Sequence, residues 1–110
     1  MSGVFFIDSD GNRISCDKIS SHIGLANEII KRDEKLAAEY EKVKGHDIVD
    51  FLIENQGYMK IDNSGFYKEI EYYGPKTSPR QKKIIMAYYE QGYCLLDLAR
   101  NKAKELEIER

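Results

Sequence analysis

The stretch Gln56-Gly57-Tyr58-Met59-Lys60-Ile61-Asp62-Asn63-Ser64-Gly65-Phe66-Tyr67-Lys68-Glu69-Ile70-Glu71-Tyr72-Tyr73 decides the fold class. Gln56-Gly57 stops the element before it, because glycine readily takes the left-handed conformation that ends a helix. Tyr58-Met59-Lys60-Ile61 reads as a strand, Asp62-Asn63-Ser64-Gly65 as a turn, and Phe66 to Tyr73 as a second strand. In that second strand Phe66, Lys68, Ile70 and Tyr72 alternate with Tyr67, Glu69, Glu71 and Tyr73, the period of two of extended backbone. Aromatic rings fall on both sides of the alternation, so one side is expected to stay accessible or to meet a partner. An antiparallel pair embedded between helical flanks implies an α+β domain.

Upstream, Ile48, Val49, Phe51, Leu52 and Ile53 form a short apolar helix starting near His46-Asp47, expected to be the central one. Before it, Leu25, Ala26, Ile29, Ile30, Leu36, Ala37, Tyr40 and Val43 recur at three-to-four spacing, the stripe of one helix face. Ser20 and Ser21 can cap that segment and Gly45 can end it. Arg32-Asp33-Glu34 interrupts the stripe for one turn, which leaves open one long helix to about residue 44 or two helices bent there. At the N-terminus, Val4-Phe5-Phe6-Ile7 and Arg13-Ile14-Ser15-Cys16 flank Asp10-Gly11, a strong hairpin signal. Strands are expected at about 4–7 and 13–16.

Downstream, Gly74-Pro75-Lys76-Thr77 is a loop and Ser78-Pro79-Arg80-Gln81 is a capping box with proline at the first helical position. The helix carries Ile84, Ile85 and Tyr88 on one side and ends at Gly92. A last helix is expected from about 94, with Leu95, Leu98, Ala99, Ala103 and Leu106 facing in. The expected architecture is a single domain over residues 1–110: an N-terminal hairpin, two helices, a central antiparallel pair and two C-terminal helices. The four strands can join in one small sheet.

A chain of 110 residues, 42% hydrophobic and 33% charged, has material for one core. No apolar run reaches the roughly 18 residues of a membrane span, and the N-terminus lacks the basic start of a secretory signal. A cytoplasmic, soluble protein with no membrane partner is expected. Cys16 and Cys94 stand far apart, as buried free thiols would in a reducing compartment. The net charge is −2, yet it is unevenly spread: residues 1–74 carry 9 bases and 14 acids, residues 75–110 carry 8 bases and 5 acids.

Sequence signals for catalysis are absent. Asp8-Ser9-Asp10-Gly11-Asn12 lacks the sixth-position glycine and twelfth-position glutamate of a calcium loop. Cys16, Cys94, His22 and His46 fit no paired zinc spacing. Cys16-x5-His22 could bring a thiol near an imidazole, but no third orienting group is evident. No G-x-S-x-G, Walker A or G-x-G-x-x-G motif occurs. The paired glutamates 39/41, 69/71 and 105/107/109 sit as solvated faces do. Neither a metal nor a cofactor is expected.

The most informative cluster is Lys76, Arg80, Lys82 and Lys83, within a run free of acidic residues from Tyr72 to Tyr89. Basic side chains at a helix N-terminus make an anion-attracting surface. Tyr58, Phe66, Tyr67, Tyr72 and Tyr73 belong to the adjoining hairpin, and tyrosine and arginine are enriched at binding hot spots. These nine residues are the expected partner-binding patch of a non-enzymatic protein-interaction module. The alternatives are a nucleic-acid-binding regulator using residues 76–104 and a small Cys/His enzyme. A tyrosine-rich hairpin could also be covered by its own copy in a homodimer.

The stretch Thr77 to Ile85, through Gly92 to Leu98-Ala99, resembles the start of a bacterial helix-turn-helix of the LuxR or sigma-factor region 4 kind. That resemblance implies nucleic-acid contact. Where that family turns into a recognition helix, Leu98-Ala99 runs on into Arg100-Asn101-Lys102-Ala103. His22-x3-Ala26, Phe51-Leu52-Ile53 with Gly57-Tyr58-Met59-Lys60-Ile61, and Thr77-x3-Gln81 are similar to small proteins of bacteriophages and mobile elements. That second resemblance implies an accessory protein, such as an anti-defence inhibitor, acting by binding a host or phage macromolecule.

Overall fold

The structure is a computed structural model, and it describes residues 3–43 and 45–100. The N-terminal hairpin forms, but through a five-residue connection, 8–12, in which Gly11 at φ +89° takes the left-handed conformation and Asp10 does not. Strand β1 (Val4–Ile7) pairs antiparallel with the short β2 (Arg13–Ile14), Phe6 opposite Ile14. The turn is held by the Asp8 carboxylate, which accepts from the Asp10 and Asn12 amides at 3.0 and 2.8 Å. The second strand is two residues long, so Ser15 and Cys16 lie beyond it.

The interrupted stripe resolves into two helices. Helix α1 (His22–Arg32) is capped by Ser21, whose hydroxyl accepts from the Gly24 amide at 3.0 Å. Asp33 ends α1 by donating its amide to the Ile30 carbonyl. It also starts α2 (Glu34–Glu41), its carboxylate accepting from the Lys35 and Leu36 amides. A residue in extended conformation that caps the next helix explains the one-turn gap in the stripe. Helix α3 (Ile48–Glu54) begins at the Asp47 cap.

Strands β3 (Met59–Asn63) and β4 (Lys68–Tyr72) form the central antiparallel pair, Ile61 opposite Ile70. The second strand is shorter than its alternation suggests, and Phe66 and Tyr67 belong to the turn. A short 3-10 turn (Gly74–Lys76) leads to helix α4 (Pro79–Glu90).

The expected helix from residue 94 is corrected. Cys94–Asp97 is a strand, β5, parallel to β4 with Leu95 opposite Ile70. A short apolar run has no period long enough to separate strand from helix, and the free edge of β4 offers it a hydrogen-bonding ladder. Asp97 then accepts from the Ala99 amide at 3.0 Å, and residues 98–100 are helical. Ala103 and Leu106 lie outside the described residues. The sheet therefore has five strands, in the order β2-β1-β3-β4-β5.

The strand period puts alternate side chains on opposite faces. On one face Phe5, Ile7, Met59, Ile61 and Ile70 pack with Ile85 of α4 and with Tyr93. On the other, Phe6 packs with Leu25 and Ala26 of α1 and with Phe51, Leu52 and Ile53 of α3. Among the described residues no helix is long and apolar enough to cross a membrane.

Candidate functional site

The start of α4 is built around a buried glutamine. The Ser78 hydroxyl accepts from the Gln81 amide at 3.2 Å, and the Gln81 carbonyl oxygen accepts from the Ser78 amide at 2.9 Å. That closes the expected capping box. The box alone does not bury a side chain, yet Gln81 is 0% exposed. Its amide group turns inward and donates to the carbonyls of Gly57 at 2.7 Å and Asp8 at 2.9 Å. One side chain thus ties the helix start to the entrance of β3 and to the first hairpin. Gly57 has φ +72°, and a Cβ there would stand 3.1 Å from the Lys76 carbonyl, so the crossing needs glycine.

Around this anchor Lys76, Arg80, Lys82 and Lys83 are all exposed, as a cation-bearing surface requires. The Asp8–Gly11 turn lies against Arg80: a Cβ on Gly11 would meet the Arg80 and Ile84 side chains. Asp8 and Asp10 therefore lie on the same side of the molecule as the helix start. They also act on Tyr58. Burial, followed by the charges of Asp8, Asp33 and Asp10, pushes its phenol up from the ordinary tyrosine range.

The structure divides the expected aromatic patch. Tyr58 and Tyr73 are half-buried against the cluster formed with α1 and α3, Tyr58 edge-on to Phe6 with ring centroids 6.3 Å apart. Tyr72 is half-buried on the opposite face, in a groove of about 410 Å³ between α4 and β5 that it lines with Lys82, Ile85, Met86 and Leu95. Burial and the Asp97 charge raise its pKa. Phe66 and Tyr67 alone project freely, at 96% and 62% exposure. They stand past the end of β3, whereas Gly57 and the basic helix start stand at its beginning. Tyr72 and Lys82 are brought together; the aromatic tip and the basic cluster are not.

The tip is firmly seated. Asn63 donates its amide to the Gly3 carbonyl at 2.9 Å, and Ser64 donates to Tyr67 at 3.2 Å. Gly3 crosses the strand so closely that a Cβ there would collide with the Asn63 carbonyl.

A second surface escaped the sequence reading. Between α1, α3 and the β3–β4 pair opens a polar cleft of about 430 Å³, walled in part by His22, Asp50, Lys60 and Glu71. His22 donates its Nε2 proton to the Ile61 carbonyl at 2.8 Å, which fixes the tautomer. Burial holds its pKa below the ordinary histidine value. Lys60 and Glu71, opposite each other in the β3–β4 register, approach to 3.8 Å. Burial raises the Glu71 pKa against the counter-pull of Lys60. The alternation in β3 and β4 contains this cleft as a signal, because Lys60, Asp62, Glu69 and Glu71 all fall on the face that α1 and α3 cover. Among the described residues no three His, Cys, Asp or Glu side chains converge as metal ligands would. The cleft's imidazole is occupied in anchoring α1 to β3. Cys16 is partly buried against the cluster formed with α1 and α3, whereas Cys94, expected to be buried, is exposed on the edge strand β5.

Comparison with known proteins found no matching family model, no matching curated protein and no matching solved structure.

Proposed function

We propose that this protein is a non-enzymatic interaction module that seats the Phe66–Tyr67 tip of its central hairpin in an apolar pocket of a protein partner. The observation that carries this reading is the exposure of two adjacent rings, 96% and 62%, on a hairpin whose base is buried. Single exposed apolar side chains are ordinary on soluble proteins. Two neighbouring aromatics on a seated tip can bury about 150–250 Å² each, the anchor type that dominates interface energetics. The backbone hydrogen bonds under the tip reduce the ordering cost of binding. The resemblance to small phage and mobile-element proteins fits an accessory protein, such as an anti-defence inhibitor, that acts by occupying a host macromolecule.

A nucleic-acid reading is favoured by one observation: Lys76, Arg80, Lys82 and Lys83 are exposed together on an acid-free stretch. Affinity capture from nuclease-treated lysate separates the two. Wild-type chain and Arg80→Ala/Lys83→Ala are expected to retain the same protein, and Phe66→Ala/Tyr67→Ala to lose it by about tenfold or more. Equal capture by the tip variant overturns the proposal. Retention that follows the basic pair and disappears with nuclease assigns the surface to nucleic acid instead.

A further inference from the structure

The outward face of α4 carries a pattern that its own fold does not use. Gln81 and Ile85 are buried, while Lys82, Lys83, Met86, Tyr89 and Glu90 are exposed, Met86 at 52% and Tyr89 at 58%. At about 100° per residue these five form one stripe centred on Met86. The stripe is self-complementary. Lys83 and Glu90 stand seven residues apart on one flank of Met86, and Lys82 and Tyr89 stand seven apart on the other.

We infer that the partner of this face is a second copy of the same chain, packed α4 against α4 about a two-fold axis through Met86. A two-fold axis perpendicular to the helices makes them antiparallel and repeats every contact twice. Such an axis keeps each flank of the stripe facing itself, so Lys83 of each copy lies opposite Glu90 of the other, and the Lys82 ammonium lies over the opposing Tyr89 ring. Met86 packs on its symmetry mate. A parallel pairing would set lysine against lysine and align the two helix dipoles, so the charge order selects the antiparallel form. The groove bounded by Lys82 and Met86, floored by Ile85 and Leu95, widens the apolar surface beside the axis. The stripe lies on a different element from the central hairpin, so dimerisation leaves Phe66 and Tyr67 free for another partner.

A single 12-residue helix is about 18 Å long, so the dimer belongs to the small, weak class of interfaces. Sedimentation equilibrium of the full chain from about 10 µM to 1 mM is expected to show a concentration-dependent monomer–dimer equilibrium. Lys83→Glu and Glu90→Lys singly are expected to weaken dimerisation about tenfold, since each places like charges opposite each other twice. The double variant restores the pairing and is expected within about threefold of wild type. Met86→Cys, in a background with Cys16→Ser and Cys94→Ser, is expected to form a symmetric disulfide dimer on oxidation, and Arg32→Cys on α1 is not. A chain that stays monomeric throughout overturns the inference. So does a dimer indifferent to both single reversals, or one that the double variant fails to restore.

Discussion

Gln81 and Phe66 invert the ordinary partition of side chains, one a polar residue fully buried and the other an apolar residue almost fully exposed. Their explanations differ. Every hydrogen-bonding demand of Gln81 is met inside the molecule, by Ser78, Asp8 and Gly57. Among the described residues nothing explains Phe66, whose ring sits at the end of a hairpin that Ile61 and Ile70 hold from below. The polar exception is structural and the apolar exception points outward. The contrast separates residues that set the fold from residues free to serve a partner.

The largest expected effect is at the buried end. Gln81→Ala strips the Gly57 and Asp8 carbonyls and the Ser78 amide of their partner and leaves a void. A loss of about 3 kcal/mol is expected from the denaturant midpoint, because groups left unsatisfied keep their desolvation cost. Gln81→Glu sharpens the point. Its second carboxylate oxygen would face two carbonyl oxygens, so the variant is expected to be at least as unstable at neutral pH and to recover partly on acidification. If Gln81→Ala cost under about 1 kcal/mol, the anchor would not be holding the three segments.

Ser78→Ala removes one half of the capping box and leaves the inward bonds of Gln81 in place. About 1 kcal/mol is expected, the usual worth of a serine cap. The gap between these two variants measures how much of the glutamine's role exceeds capping. Equal losses would reduce Gln81 to a cap residue.

The polar cleft gives a third comparison, between two groups that burial moves in opposite directions. His22 is held below its ordinary pKa, so the unfolded chain binds more protons than the folded one just below about 6.5. Its contribution is present above that value and is lost as pH falls through it toward the folded pKa. Glu71 is held above its ordinary 4.5, so the folded chain binds more protons in the window just above that. Stability from Glu71 therefore falls as pH rises through the window. Stability profiles should show His22→Gln flattening the decline from pH 7 to 5 and Glu71→Gln steepening it at the lower end. Parallel profiles for all three proteins would show that neither group is coupled to folding.

How much of this was legible in the sequence follows the range of the interactions. The Asp-Gly hairpin, the stripe from Leu25 to Val43, the α3 core run and the Ser78–Gln81 box are each set by residues within a few positions, and all formed. The strand β5 was not legible, because Cys94-Leu95-Leu96 becomes extended only by pairing with β4 more than twenty residues earlier. Tyr58 and Tyr73 looked like members of one aromatic surface with Phe66 and Tyr67. Their place depends on which sheet face α1 and α3 cover, a choice that alternation alone leaves open. The same limit hid the inward turn of Gln81 and the convergence of His22 with Lys60 and Glu71, whose partners lie dozens of residues apart.

The smallest expected effect closes the comparison at its exposed end. Phe66→Ala removes a ring that is 96% exposed, so among the described residues almost no packing and no cavity enters the balance. A stability change within about 0.5 kcal/mol is expected, as for surface positions generally. Phe6 is 0% exposed in the same sheet, and its truncation belongs to the class that costs about 3–5 kcal/mol. Two phenylalanines of one hairpin-built sheet thus predict opposite outcomes from the same substitution. If Phe66→Ala lost more than about 1 kcal/mol, the ring would be packing within its own chain. The exposed tip would then have an internal explanation, and the case for an outside partner at that position would end.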